Sequence, residues 1–342
     1  MSIERLRVVI TGGAGFIGSW IAESMVAAGA RVTVYDDFSR GFHENLKRIK
    51  GDITIVEGDV LDAERLGRAL DGADVVSHQA AVIGGTVEDP IHCLQVNIEG
   101  SVNVFRCSAR AGVQKIIFAS SETIYGQARY VPEDEAHPSE PLLPYAVTKL
   151  ATEHYARIYQ RHYGMQMIGL RYSNVYGSRE WYGRVSTVFL KRALEGKTPV
   201  IWGGDQIRDF LYVSDLVDFH TRCLEMEGVN FQIFNVSTGV GTPIGELARI
   251  IAEMHGTGEP LREDVAAGRP SRLVQGMGRA LLECKAMVLD NTRARGTGWW
   301  PRVDLADGLA RQSMWLRENP QAWGLSPESL RRPSIERSGG GT

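Results

Sequence analysis

The sequence predicts an α/β fold: a doubly wound parallel sheet with a smaller C-terminal α/β lobe. Three observations lead there. Short apolar runs alternate with amphipathic helical stretches from Arg7 to Tyr172. The first run, Val8-Val9-Ile10-Thr11, leads into Gly12-Gly13-Ala14-Gly15-Phe16-Ile17-Gly18. There the glycines recur every three residues, and a helix opens with Ile17, Ile21 and Met25 on one face. The second strand, Arg31 to Tyr35, ends in Asp36-Asp37.

This is the pattern of a Rossmann-type dinucleotide site. Gly12 and Gly15 leave no side chain between the backbone and a pyrophosphate. The first-turn amides around Phe16 and Ile17 then meet the anion at the positive end of the helix. Gly18 lets helix and strand pack closely. Asp36, with Asp37 and Ser39 beside it, is placed to accept the ribose hydroxyls of NAD, and its charge repels the 2′-phosphate of NADP.

The 342 residues suit one large α/β domain with a lobe, or two domains, and a hydrophobic fraction of 43% is enough for a core. A net charge of −3 without a long basic run gives no reason to expect nucleic acid or an anionic membrane surface. No signal peptide precedes the first strand and no apolar stretch is long enough to span a bilayer, so a cytoplasmic protein is expected. Cys93, Cys107, Cys223 and Cys284 form no C-x-x-C pair and read as reduced thiols. The eight histidines show no ligand spacing, and no metal site is expected.

Further strands are predicted at 53–57, 74–78, 115–120 and 165–172, and helices at 91–111 (closed by Gly112) and 145–163. The turn glycines, Asp36, Asp59-Val60, Ala80-Ala81, Ser120-Ser121 and Asn174 all fall at or after strand ends. In such sheets these ends face one crevice. Beyond Tyr176 the alternation loosens. The chain is expected to return to the sheet near 210–213 and 232–236 and to form a helix at 244–254. The expected division is a dinucleotide-binding domain at 1–175 with returning segments near 205–238 and 284–296. A substrate lobe occupies 176–204 and 239–325, and a flexible tail 326–342.

Tyr145 and Lys149, four apart at the start of a helix, project onto one face, and Ser121 follows the preceding strand. The three suit hydride chemistry at a carbinol. A phenol is a poor base near neutrality. An ammonium and a positive nicotinamide favour the phenolate, which then takes the hydroxyl proton. Ser121 holds the same oxygen.

With these residues in view, the chain resembles the extended short-chain dehydrogenase/reductase family, and within it the nucleotide-sugar epimerases and dehydratases, over about 7–315. The resemblance rests on the 11–18 turn, Asp59-Val60, His78-Gln-Ala-Ala81, Asn97-Ile-Glu-Gly100, Ser120-Ser-Glu-Thr-Ile-Tyr-Gly126, Tyr145-Ala-Val-Thr-Lys149, Arg171-Tyr-Ser-Asn-Val-Tyr-Gly177, Arg208-Asp-Phe-Leu-Tyr-Val-Ser-Asp215 and Gly298-Trp-Trp-Pro301. It implies that Asp36 binds the adenosine ribose and that Asp59 and Val60 frame the adenine. Ala80, Ala81, Asn97, Ser120, Tyr172, Tyr145 and Lys149 line the rest of the NAD site. It further implies a UDP-sugar 4-epimerase that inverts C4 through a transient 4-keto sugar, with tightly held NAD and a homodimer. The dimer would pair through helices bearing Val104, Phe105, Ile158 and Tyr159.

The resemblance has Asn174 and Arg208 touch the substrate nucleotide, gives Arg208 the diphosphate with Arg279 or Arg269 as the second arginine, and sets Trp202 against the uracil or in the core. Family members that dehydrate the sugar carry Asp then Glu where this chain has Glu122-Thr123, which weakens that alternative. Glu122 and Thr123 are both expected to bind substrate, Thr123 through a sugar hydroxyl. Arg184, with Arg179, Ser186 and Thr187, stands where a C6 carboxylate would be read, Val185 is expected to bind substrate beside it, and Trp181 and Tyr182 form either a lid or a surface loop. UDP-glucose/UDP-galactose and UDP-glucuronate/UDP-galacturonate both remain open. A 4,6-dehydratase, a 4-ketoreductase or a non-catalytic NAD-sensing protein are the other readings.

Overall fold

The computed structural model describes residues 3–83, 90–180, 183–263 and 284–320, with Trp202 by its backbone only. Strand β1 (Arg7–Thr11) lies inside the main sheet because both its faces are apolar: Val8, Val9 and Ile10 are all buried. Around it stand β2 (Arg31–Asp36), β3 (Ile53–Glu57), β4 (Val75–His78), β5 (Lys115–Ser121) and β6 (Gln166–Tyr172). After β7 (Asn174–Tyr176), β8 (Val200–Trp202) and β9 (Ile207–Tyr212), strand β10 (Phe231–Val236) completes that sheet. The order is β10-β6-β5-β4-β1-β2-β3, every pair parallel. Chain direction along the sheet reverses between β1 and β4, which opens a crevice at their carboxyl ends.

Helices cover both faces. α1 (Phe16–Ala27) packs on one side, with Ile21 and Met25 against Val8, Ile10 and Val34. On the other side, α2 (Ala63–Ala69) and the 91–111 segment contribute Leu66, Val104 and Phe105 over Val9, Val76 and Ile116. Alternate strand residues therefore feed two separate cores, as the two-residue side-chain period requires.

The expected helix at 91–111 is three pieces: α3 (Ile91–Leu94), a π-type turn (Gln95–Glu99) and α4 (Gly100–Ala111). Gly112 closes α4 with φ 73°, a left-handed conformation that glycine adopts without strain. Val104 and Phe105 are fully buried in the core, so of the four side chains assigned to a dimer face these two belong to the sheet. Ile158 is 58% exposed. α5 (Pro144–Tyr163) begins with a proline in its first turn, where no amide partner is needed, and ends at Gly164.

After β7 come α6 (Val185–Leu194) and, following β9, α7 (Val213–Glu225), which packs beside α1. The segment at 210–213 does not rejoin the main sheet. β9 forms a second sheet with β7, β11 (Gly241–Pro243) and β13 (Ala286–Met287). β10 occupies the edge next to β6, so β9 has no place there. The short β13, inside the segment expected to return at 284–296, also joins the second sheet. β8 pairs with β12 (Leu261–Glu263), beside α8 (Ile244–His255).

Candidate active site

The glycine turn has the shape of a phosphate cradle. Gly12 has φ +67°, and a Cβ there would lie 2.6 Å from the Ala80 amide nitrogen. A Cβ at Gly18 would run into the Gly12 carbonyl. The first turn of α1 has no side-chain cap and no acidic residue, so its amide end is left to an anion. Asp36 is 6% exposed. Its Oδ2 accepts from the Ala14 amide and its Oδ1 from the Phe38 amide, each at 2.9 Å. Burial raises its pKa and the two amides pull it back. Asp37 turns away to accept from Ser39, amide and hydroxyl both, at 3.0 and 2.7 Å.

Asp59 is exposed and accepts from the Leu61 amide, while Val60 is buried beside Gly100, where a Cβ would meet its Cγ2. The Thr11 hydroxyl and His78 Nδ1 are 2.7 Å apart, and His78 Nε2 is 2.9 Å from the Ser101 hydroxyl. Burial, with a smaller push from Lys149, drives the imidazole pKa down to about 3, so it is neutral at physiological pH. This pair was not singled out as a site feature in the sequence, although His78 stands in a quoted motif. Ala80 and Ala81 are half-buried at the same sheet end. Asn97, on the π-type turn, clamps the loop that follows them: its Oδ1 accepts from the Val82 amide at 2.8 Å and its Nδ2 donates to the Val82 carbonyl at 3.0 Å. Tyr172 donates to Gln79 at 3.0 Å.

Lys149 ties α5 to β5. Its ammonium donates to the Ala119 carbonyl at 2.9 Å and lies 5.6 Å from the Tyr145 ring centroid. Burial lowers its pKa to about 8. Ser121, two residues after Ala119, accepts from the Thr123 amide and hydroxyl at 3.2 and 2.9 Å. Ser120 faces elsewhere: its hydroxyl donates at 2.6 Å to Glu153, which is in a buried ion pair with Arg171.

Glu122 is 5% exposed and accepts from Asn174 Nδ2 at 2.6 Å. Burial, then the neighbouring Asp209, raises its pKa well above the usual carboxylate range, while Arg208 and Arg184 act the other way. Arg208 donates to the carbonyl of Ile207, and Arg184 to that of Val175 at 3.2 Å, just before Val185 opens α6. Asp209, not singled out although it stands in a quoted motif, is buried and accepts from Thr238, amide and hydroxyl, and from the Gly239 amide. A charged Arg-Asp pair in an apolar strand was the signal that pointed to it.

Arg179, expected over the sugar, instead reaches α1: it donates to Ser19 at 3.1 Å and Glu23 at 2.5 Å. Thr187 bonds Glu180 and Gln312, so its hydroxyl is engaged within the protein, and Ser186 is buried beside it. Arg279, Arg269, Trp181, Tyr182, the Trp202 side chain and the tail at 326–342 lie outside the described residues.

A dinucleotide cradle, an acid at the end of β2 and a serine, tyrosine and lysine at the same sheet end define a nicotinamide-dependent enzyme of the short-chain type. Residues 8–237 match the model of the NAD dependent epimerase/dehydratase family. The chain is 35% identical over 327 residues to the UDP-glucose 4-epimerase of Mycolicibacterium smegmatis, covering 92% of this chain and 100% of that one. Among solved structures it is similar to the UDP-glucose 4-epimerase of Thermotoga maritima with UDP-glucose (32% identity, TM-score 0.82, 92% and 100% of the two chains). It is also similar to a dTDP-glucose 4,6-dehydratase from Streptomyces venezuelae with NAD bound (27% identity, TM-score 0.83, 93% and 99%). The chain belongs to the NAD-dependent epimerase/dehydratase family, and its cofactor is NAD.

Proposed function

We propose that the protein is a UDP-hexose 4-epimerase that interconverts UDP-glucose and UDP-galactose. The observation that carries this reading is Lys149, set beside Tyr145 and anchored on the carbonyl of Ala119 in β5, two residues before Ser121. The Gly12–Gly18 turn, the uncapped first turn of α1 and Asp36 hold NAD, which when bound supplies a reversible hydride acceptor. Tyr145 takes the proton of the sugar 4-hydroxyl, helped by the nearby ammonium, and returns it at the end of the cycle. Ser121 donates to the same oxygen and orients it. Arg208 and Asn174 hold the diphosphate side. Inversion follows when the 4-keto sugar offers its other face before reduction.

A neutral hexose is favoured over a hexuronate because Arg179 and Thr187 are engaged within the protein, while Glu122 and Asp209 bring carboxyl groups to the same place. The dehydratase alternative lacks its base, Thr123 standing in that position. A homodimer paired through α5 completes the reading, with Val147, Tyr155 and Ile158 exposed on that helix.

The test is proton NMR of UDP-glucose incubated with the enzyme in D₂O. Appearance of UDP-galactose without deuterium at C5 is expected. Deuterium at C5 with loss of the 6-hydroxyl would replace the epimerase by a dehydratase.

A further inference from the structure

Glu122 is a buried carboxyl that the mechanism above does not use. It sits in the single 3-10 turn after β5, between Ser121 and Thr123. Its Oε1 accepts from Asn174 on β7, while its Oε2 is buried with no partner among the described residues. The charged groups facing it come from three other segments: Arg184 before α6, Arg208 and Asp209 on β9, and Glu133. The two other carboxyls in this cluster are satisfied within the protein. Asp209 accepts from Thr238 and Gly239, and Glu133 Oε2 accepts from the Val288 amide at 2.9 Å. Glu122 alone among the three keeps a buried oxygen to offer.

We propose that Glu122 is a sugar-binding residue that works in its carboxylic-acid form, Oε1 holding Asn174 and Oε2 donating to a hexose hydroxyl other than the reacting one. The inference rests on the UDP-hexose reading. Ser121, its chain neighbour, faces the C4 oxygen in that reading, and Arg208 faces the diphosphate, so Glu122 lies along the sugar between them. A hydroxyl suits a carboxylic acid because each can donate and accept. Ionising Glu122 would set a buried anion beside Asp209 and close to the incoming diphosphate. An arriving diphosphate also offsets the charge of Arg208, which is one of the two groups favouring the carboxylate. Binding and protonation of Glu122 therefore favour each other.

The sign follows. When the free enzyme carries Glu122 as a carboxylate, substrate must bind together with a proton, so KM rises with pH. kcat is set in the bound complex, where Glu122 keeps its proton, so Glu122 adds no limb to the pH profile of kcat.

The experiment measures KM and kcat for UDP-glucose across pH in the wild type, Glu122→Gln and Glu122→Ala, together with affinity for UDP alone by calorimetry. Glutamine keeps an acceptor for Asn174 and a permanent donor. Glu122→Gln is expected to keep a KM near wild type at neutral pH and to lose the alkaline rise. Glu122→Ala is expected to raise KM about tenfold or more with kcat changed far less, and to leave UDP affinity unchanged. If Gln weakens binding as much as Ala does, or if UDP affinity falls in step with UDP-glucose, the inference is overturned. A wild type that neither binds nor epimerises UDP-glucose overturns the substrate reading together with this inference. Binding and turnover that ignore Glu122 overturn this inference alone.

Discussion

The Lys149 ammonium lies 5.6 Å from the centre of the Tyr145 ring, held there by the Ala119 carbonyl at 2.9 Å. The backbone of β5 thus fixes where the charge stands, and a positive charge near a phenol stabilises its phenolate. Tyr145→Phe removes the proton acceptor while leaving the ring's packing. Turnover is expected to fall about 10³-fold, with NAD content nearly unchanged. Initial rates and the absorbance of released cofactor check both halves, and turnover that persists would show that another group is the base.

The pH dependence of kcat follows from the same lysine. Burial lowers the Lys149 pKa to about 8, so its charge is present below that pH and lost above it. Loss of the ammonium raises the tyrosine pKa and removes the assistance. kcat is therefore expected to decline as pH passes about 8. A Lys149→Met variant should be much slower and lack that limb. A wild-type kcat level well past that pH would mean that the ammonium does not act on Tyr145.

Stability can be probed at Glu153. It pairs with Arg171 at 2.7 Å, their side chains only 7% and 8% exposed, and it accepts from the Ser120 hydroxyl at 2.6 Å. Arg171 in turn donates to Tyr125, whose hydroxyl donates to Asn235. Glu153→Ala leaves a buried guanidinium uncompensated, and a loss of about 3–5 kcal/mol is expected. A Glu153→Leu, Arg171→Met double variant should recover most of it, because no buried charge remains. Chemical denaturation of the two variants distinguishes this from simple loss of packing, for which the double variant would be the worse.

The sequence carried the main sheet because each strand is an apolar run followed by a turn, and the strand ends are where the site lies. Which sheet a strand joins was not legible: Phe210, Leu211 and Tyr212 are apolar whether β9 pairs with β6 or with β7, and only the occupation of that edge by β10 decides. The π-type turn at Gln95–Glu99 was hidden because it leaves the helical residue pattern almost unchanged. Arg179 read as a substrate contact because its loop precedes Arg184. Its left-handed backbone, φ 74°, turns it back onto α1, and nothing in its neighbours announces that. Ser120 and Ser121 were both expected in the crevice, but strand alternation turns Ser120 to Glu153 and leaves Ser121 beside Thr123.

The glycine turn gives a contrast between two substitutions of the same kind. Gly18 lies against the Gly12 carbonyl, and a Cβ would also come within 2.8 Å of the Gly13 Cα. These are backbone atoms and cannot rotate aside. Gly12 itself cannot retreat, because Ala80 stands 2.6 Å from where its own Cβ would be. Gly18→Ala must therefore shift α1 away from β1 and widen the cradle. A stability loss of about 1–3 kcal/mol is expected, as for other overpacked sites, together with weaker NAD binding. Gly67 lies within α2 with nothing inside 4 Å of a Cβ. There Ala adds helix propensity and restricts the unfolded chain, so Gly67→Ala is expected to stabilise by about 0.4–1 kcal/mol and leave NAD binding alone. Thermal unfolding with and without added NAD reads both. If Gly18→Ala were as harmless as Gly67→Ala, close packing of α1 against the turn would not be what holds the cofactor cradle in shape.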